Sequence, residues 1–129
     1  MKKILIINSK YYESVSNNLV LNAKKRLSNF KFKISILEVP GVYEIPIAIR
    51  KNIKKFDGFI ALGCVIKGQT PHFDFISQSA TDAIMKLSIS SKKPIGNGII
   101  TCLNKKQAIA RGKKGLEASE AVKVVLTNK

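Results

Sequence analysis

The chain is poor in the residues that build metal and disulfide sites. Its 129 residues include one histidine and two cysteines. Cys64 and Cys102 stand far apart in sequence, each within or at the end of an apolar run, and neither has a histidine nearby. The absence of any CxxC pair removes the spacing of a structural zinc site and leaves reduced core thiols as the reading, with no metal expected. No apolar run approaches the ~18 residues that a bilayer span needs, so no membrane partner is expected. The opening MKKILIINSK has two lysines followed by four apolar residues, short of the roughly 7–15 apolar residues of a secretion signal and without a small-residue cleavage site. A cytoplasmic location is the expectation. Low-complexity tracts and linkers are also missing, so residues 1–129 are read as a single domain with one sizeable core.

Acidic residues are scarce as well. Eight aspartates and glutamates face 23 lysines and arginines, giving a formal net charge of +15. Such a balance raises nucleic acid as a partner. Against it, the basic residues occur as short pairs spread along the chain, and only Arg26, Arg50 and Arg111 are arginines, the residue preferred for bidentate reading of bases and phosphates. Nucleic-acid binding would require lysines gathered on one face, or exposed aromatics interleaved with them. The expectation is a solvated surface charge and no nucleic-acid partner.

What is present is an alternation of two hydrophobic periods. KILIIN (Lys3 to Asn8) is a short apolar run suited to a buried strand. From Ser14 the apolar positions Val15, Leu19, Ala23 and Leu27 recur every four residues, which predicts an amphipathic helix. KISILEV (Lys33 to Val39) predicts a second strand ended by Pro40-Gly41. Ile45, Ile49 and Ile53 mark a second helix, with Pro46 acceptable in its first turn. DGFIALGCVIK (Asp57 to Lys67) predicts a third strand. Phe73, Ile76, Ala80, Ala83 or Ile84, and Leu87 predict a third helix, and Ile95 to Cys102 a fourth strand. The remainder reads as helical, interrupted around Gly112 to Gly115. Strands without polar alternation, separated by helices, call for a parallel sheet covered on both faces, and right-handed crossovers restrict it to a small doubly wound α/β sandwich.

Ligands of such sheets gather where strands run into helices. Here those loops are SKYYES, PGVYEIP, KGQTPHF and the stretch after Thr101. In the third of them, Thr70 can cap the helix, Pro71 fits its first position, and Gly68 allows close backbone approach. The unpaired N–H groups of such a helix start form an anion site. GxxxxGK[ST] is absent, so a small phosphorylated ligand fits better than a nucleoside triphosphate. His72 falls beside that site. The helix dipole and Lys67 keep its ring neutral, while a bound phosphate favours the imidazolium. The residues alone leave two readings: a general acid–base near neutral pH, or an ordinary, partly exposed first-turn histidine.

The segments PGVYEIPIAIRK, ALGCVIKGQTPHFDFI, PIGNGIIT, QAIARG and KKGLEA occur in an order and spacing that resembles the 6,7-dimethyl-8-ribityllumazine synthase family, from about Ile4 to Leu126. The resemblance implies a flavodoxin-like three-layer sandwich with a four-stranded parallel sheet. It implies the cofactor-free condensation of 5-amino-6-(D-ribitylamino)uracil with 3,4-dihydroxy-2-butanone 4-phosphate, in the penultimate step of riboflavin biosynthesis. It implies that His72 transfers protons and that phosphate rests on the Gly68, Gln69 and Thr70 amides, with Arg111 as charged partner and Lys114 nearby. Tyr11 would stack on the pyrimidine, with Tyr12 as the alternative if the register slips by one. Val42, Tyr43 and Glu44 would hold the uracil and ribityl chain, Glu44 accepting from ribityl hydroxyls, and Val65 and Ile66 would contribute backbone atoms. The resemblance also implies a homo-oligomer, a pentamer with sites shared between adjacent subunits, whose positive field draws in the anionic substrate.

Two departures from the family pattern bear on the site. Asn97 stands where many members carry an aromatic, so an amide replaces a stacking ring. The segment between Arg111 and Lys114 is shorter than is common, which leaves the placement of Lys113, Lys114 and Glu117 open. The chain begins directly at its first core strand, and a free pentamer is expected rather than a capsid. The rival readings are a non-catalytic relative of the same fold and a basic nucleic-acid-binding protein.

Overall fold

The computed structural model describes residues 1–68 and 72–128. Four strands, β1 (Lys2–Ser9), β2 (Phe32–Val39), β3 (Gly58–Ile66) and β4 (Ile95–Cys102), pair in parallel in the order β2-β1-β3-β4. Between and after them run α1 (Glu13–Leu27), a single 3-10 turn (Val42–Glu44) leading into α2 (Ile45–Lys51), α3 (His72–Ser91), α4 (Lys105–Ala110) and α5 (Lys114–Thr127).

The uninterrupted apolar runs have a direct structural cause. Successive side chains of a strand point to opposite faces, and both faces of this sheet are covered. Ile4 and Ile6 pack with Val15, Leu19, Ala23 and Leu27 of α1 and with Ala118 and Val122 of α5. Leu5 and Ile7 pack on the other side with Ile45, Ala48 and Ile49 of α2 and Ala80 and Ile84 of α3. β3 divides in the same way, with Ile60, Leu62 and Cys64 facing α1 and α5 while Phe59, Ala61 and Val65 face α2 and α3. Each fully buried Val, Leu, Ile or Phe side chain among them contributes about 1.5–3 kcal/mol. The result is the three-layer α/β sandwich with a four-stranded parallel sheet that the sequence predicts.

The elements depart from expectation in three places. β2 lies at the sheet edge, and its Ile36 and Leu37 are exposed, so the strand is not covered on both faces. α2 stops at Lys51, and Ile53 reaches the core from the turn that follows. Cys64 and Cys102, distant in sequence, both lie buried as free thiols on adjacent strands, Cys64 opposite Ile100 and Cys102 opposite Ile66. Burial, with Cys102 adding to it, pushes the Cys64 thiol up to about 12.

Among the described residues one non-glycine residue holds a left-handed conformation, Lys92 at φ 60° in the turn between α3 and β4. That conformation costs a residue with a Cβ about 1–2 kcal/mol, whereas glycine costs about 0.5–1 kcal/mol of extra backbone entropy. Lys92→Gly is therefore expected to raise the thermal midpoint by a few degrees; a lowered midpoint would contradict the strain argument.

Candidate functional site

The four strands run in one direction, so their carboxyl ends meet at one end of the sheet, and a cavity of about 450 Å³ opens there. Tyr11 and Tyr12 come to it from the β1–α1 loop, Pro40 to Glu44 from the β2–α2 loop, Cys64 to Ile66 and Gly68 from the end of β3, and Phe73 and Ile76 from α3. It therefore gathers Tyr11, Val42, Tyr43, Glu44, Val65, Ile66 and Gly68, seven residues singled out from the sequence, against an apolar wall.

Each wall offers a distinct chemistry. Tyr11 is 73 % exposed at the mouth, while Tyr12 is half-buried and packs on the core beneath it, their rings edge-on at 4.9 Å. Burial, helped by Tyr11 and Cys64, raises the Tyr12 phenol above its ordinary value, so it stays neutral. Tyr11 has the ring face free for a flat heterocycle. Val42 is buried and Tyr43 exposed. The Glu44 side chain forms no salt bridge and no side-chain cap among the described residues. Its carboxylate is free to accept hydrogen bonds from hydroxyls.

The end of β3 supplies backbone groups for a reason visible in the register. Pairing of β3 with β1 ends at Asn8↔Leu62, whereas pairing with β4 continues to Ile66↔Cys102. The β1-facing edge of Cys64 to Ile66 thus extends past its ladder into the cavity, where a planar ligand can take up its donors and acceptors. Below it, the buried Asn8 Oδ1 and Ser9 Oγ have no partner among the described residues.

Gln69 and Thr70 lie outside the described residues, and of His72 only the backbone is described, as the first residue of α3. Gly68 lines the cavity directly before them. A helix of 20 residues starting here directs its positive end toward the same region.

Arg111 and Lys114 stand elsewhere. They line a second recess of about 600 Å³ with Ile99, Ile100, Thr101, Lys113, Leu116 and Glu117, and among the described residues none lines both recesses. Arg111 closes α4, and its exposed guanidinium donates to the Thr101 carbonyl at 2.8 Å. Lys114 pairs with Glu117 at 3.6 Å across one helical turn. Asn97 lines neither recess; it is half-buried, and its Oδ1 accepts from the Ile99 N–H at 3.0 Å. Its NH₂ group and the second lone pair of Oδ1 remain for a ligand.

Sequence reasoning missed Pro40, Gly41, Cys64, Phe73 and Ile76 as cavity walls and Thr101 and Leu116 in the second recess. The stripe of Phe73 and Ile76 is periodic and reads as core; nothing in its spacing says that its first turn faces a cavity. Among the described residues no group of three or more His, Cys, Asp or Glu is placed to hold a metal ion, and no helix is long and apolar enough to cross a membrane.

This geometry agrees with the chain's relatives. The family model of 6,7-dimethyl-8-ribityllumazine synthase matches residues 1–128. The 6,7-dimethyl-8-ribityllumazine synthase of Bartonella henselae is 42% identical over 86% of this chain and 74% of its own. That of Bartonella bacilliformis is 40% identical over 87% of this chain and 76% of its own. That of Methylobacterium radiotolerans is 35% identical over 98% of this chain and 82% of its own. A family model matched over residues 1–128, together with relatives at 35–42% identity that cover 86–98% of the chain, leads to one conclusion: the chain belongs to the 6,7-dimethyl-8-ribityllumazine synthase family.

Proposed function

We infer that this chain is the transferase that condenses 5-amino-6-(D-ribitylamino)uracil with 3,4-dihydroxy-2-butanone 4-phosphate, releasing phosphate and water and forming 6,7-dimethyl-8-ribityllumazine. The observation that carries the reading is the first cavity. It combines an exposed aromatic ring at Tyr11, a free carboxylate at Glu44 and an unladdered strand end at Val65 and Ile66. The pyrimidine stacks on Tyr11 with its edge on the β3 backbone, and Glu44 accepts from the ribityl hydroxyls. The butanone phosphate lies between Gly68 and the start of α3, on the amides of Gly68, Gln69 and Thr70. His72 carries protons as the amine adds to the ketone, water leaves to give the imine, and the C–O bond to phosphate breaks.

Arg111 belongs to the same reaction through a second copy of the chain. Among the described residues the second recess shares no lining residue with the first, so one protomer offers two half-sites: a stacking and proton-transfer half, and a basic half carrying Arg111 and Lys114. A head-to-tail ring brings the basic half of one copy onto the cavity of the next, since heterologous interfaces close into rings. The large exposed side chains of Ile47 on α2 and of Phe75, Met85 and Ile89 on α3 support association. The family resemblance makes the ring a pentamer, with Asn97 near the shared site and the assembly in the cytoplasm.

Supplying both substrates and following the absorbance of the lumazine tests the activity. Acceleration over the spontaneous condensation, with matching phosphate release, is expected; a rate equal to the uncatalysed one would refute it. Arg111→Ala is expected to raise KM for the butanone phosphate about tenfold, the ~1.5 kcal/mol or more of a charge-assisted hydrogen bond, and to leave KM for the pyrimidine within about twofold. An unchanged KM for the phosphorylated substrate would remove Arg111 from the phosphate site.

A further inference from the structure

The reaction leaves most of the positive charge unexplained. At the carboxyl ends of the strands, where the cavity opens, the lysines of the loops are accompanied by Glu13, Glu38, Glu44, Asp74 and Glu117. The excess is at the opposite end, where strands begin and the long helices finish. More than half of the chain's 23 lysines and arginines lie there, with Asp57 and Glu120 as the nearby carboxylates. Strands of eight or nine residues separate the two ends by about 26 Å, against a screening length of about 8 Å at physiological salt. A field centred so far from the cavity does little to steer a small anionic substrate.

Helix electrostatics accounts for part of this charge. Lys24, Lys25 and Arg26 close α1, and Arg50 and Lys51 close α2, where cations are favoured. The remainder needs another cause, because it sits in turns and strand starts. Lys2 and Lys3 begin β1, Lys31 and Lys33 flank the start of β2, Lys54 and Lys55 precede β3, and Lys92 and Lys93 precede β4.

These four pairs are dispersed in sequence, yet the sheet order β2-β1-β3-β4 sets them side by side in one row. Three strand spacings make that row about 14 Å long. Contacts join its members: the Asp57 N–H donates to the Lys3 carbonyl at 2.8 Å, and Lys93 Nζ donates to the Ile53 carbonyl at 2.5 Å. Among the described residues none of the eight lysines has a carboxylate within salt-bridge distance, the ion pairs of this end being Arg26 and Lys123 with Glu120.

Aromatic rings interleave with the row where β2 begins. In Phe30-Lys31-Phe32-Lys33 the two rings lie 6.1 Å apart, Phe30 is exposed and Phe32 half-buried, and Lys123 Nζ stands 4.3 Å from the Phe30 ring centre. Lysines gathered at one end, which their dispersal in sequence does not show, and an exposed aromatic ring beside them occur together here.

We propose that the row of strand-start lysines, with Phe30 at its β2 end, binds the phosphate backbone of single-stranded nucleic acid, on the end of the molecule remote from the substrate cavity. A linear track of point charges suits a linear polyanion, and an exposed ring beside it can stack any base. Short turns, with no helix or two-stranded ribbon projecting from them, cannot enter a major groove, so sequence-specific reading of a duplex is not implied.

The test is fluorescence anisotropy with a labelled oligouridylate of about 20 nucleotides, longer than the ~4–16 nucleotides that a single-strand-binding module covers. Binding with a dissociation constant of about 1–100 μM is expected, weakening steeply with salt. Lys31→Gln/Lys33→Gln is expected to weaken it about tenfold and to flatten the log affinity against log salt by up to about 1.4. Phe30→Leu, which keeps every charge, is expected to cost about fivefold or more. Lys105→Gln/Lys106→Gln, removing the same charge from the cavity end, should cost less than about twofold. All the replaced side chains are exposed, and unchanged lumazine formation by the Lys31/Lys33 variant reports its folding. No binding, equal loss from the two double variants, or capture by phosphatidylserine vesicles in place of the oligonucleotide would each overturn the proposal.

Discussion

His72→Ala is expected to lower turnover by about 10–10³-fold while leaving KM for the pyrimidine nearly unchanged. General acid–base catalysis contributes about 10²–10⁴. The lower part of that range applies because the amine and the ketone are reactive enough to condense unaided. Within this account Tyr11, Glu44 and the end of β3 bind the pyrimidine, and the substitution touches none of them, so the loss belongs in kcat. Two further readouts separate proton transfer from simple damage. The wild-type rate should show a limb near neutral pH that disappears in the variant, and the variant should melt at the wild-type temperature. A His72→Ala enzyme with wild-type turnover and an unaltered pH profile would return the residue to an ordinary helix-start histidine.

Gly115→Ala is expected to destabilise the protein, against the direction that helix propensity alone would give. Alanine is about 0.8–1.0 kcal/mol better than glycine in a helix interior, and Gly115 lies in α5. Yet α5 crosses α1 so closely that a Cβ at this position would stand 2.2 Å from the Leu19 carbonyl oxygen and 3.2 Å from the Ala23 nitrogen. Both are backbone atoms of a buried helix, so no side chain can swing aside. The crossing is also held by Ser119 Oγ, which donates to the Ala23 carbonyl at 3.1 Å. Overpacking of this kind costs about 1–3 kcal/mol or more. The clash outweighs the propensity gain by up to about 2 kcal/mol, and a midpoint lowered by up to about 8 °C is expected, at roughly 4 °C per kcal/mol for a domain of this size. Gly96→Ala meets the same obstacle, its Cβ falling 2.2 Å from the Ala118 carbonyl oxygen. A stabilised Gly115→Ala protein would show that α1 and α5 pack less closely than described.

The fold was legible because its strongest signal is local. Buried parallel strands need apolar residues on both faces, and KILIIN and FIALGCVI are unbroken runs for that reason. The helices announce themselves through the spacing of Val15, Leu19, Ala23 and Leu27. β2 misled in part, since KISILEV has the composition of a covered strand but sits at the edge. Edge or centre is a property of strand order, which periodicity does not carry.

The candidate site was legible to the same depth. Loops at strand ends collect ligands, and the residues of SKYYES, PGVYEIP and the end of β3 do converge on one cavity. What the sequence could not disclose is that Arg111 and Lys114 stand at a different recess. They follow β4, and the course of α4 and α5 decides where they stand; no spacing within QAIARGKKGLEA reports it. The lysine row is hidden in the same manner. Four pairs that look scattered along the chain become neighbours only through the order β2-β1-β3-β4.

Under the proposed function, the two recesses are halves of one active site completed by a neighbouring copy. Co-expression of His72→Ala and Arg111→Ala chains under separate tags, followed by isolation of the mixed assembly, tests it most directly. Each chain then lacks one half and supplies the other. In a randomly mixed head-to-tail ring, about a quarter of the interfaces join an intact cavity to an intact basic recess. At low butanone phosphate the mixed assembly is predicted to recover about a quarter of wild-type activity, well above either variant alone. An assembly no more active than the average of its two parents would show that His72 and Arg111 must lie on the same chain, and would contradict the shared site.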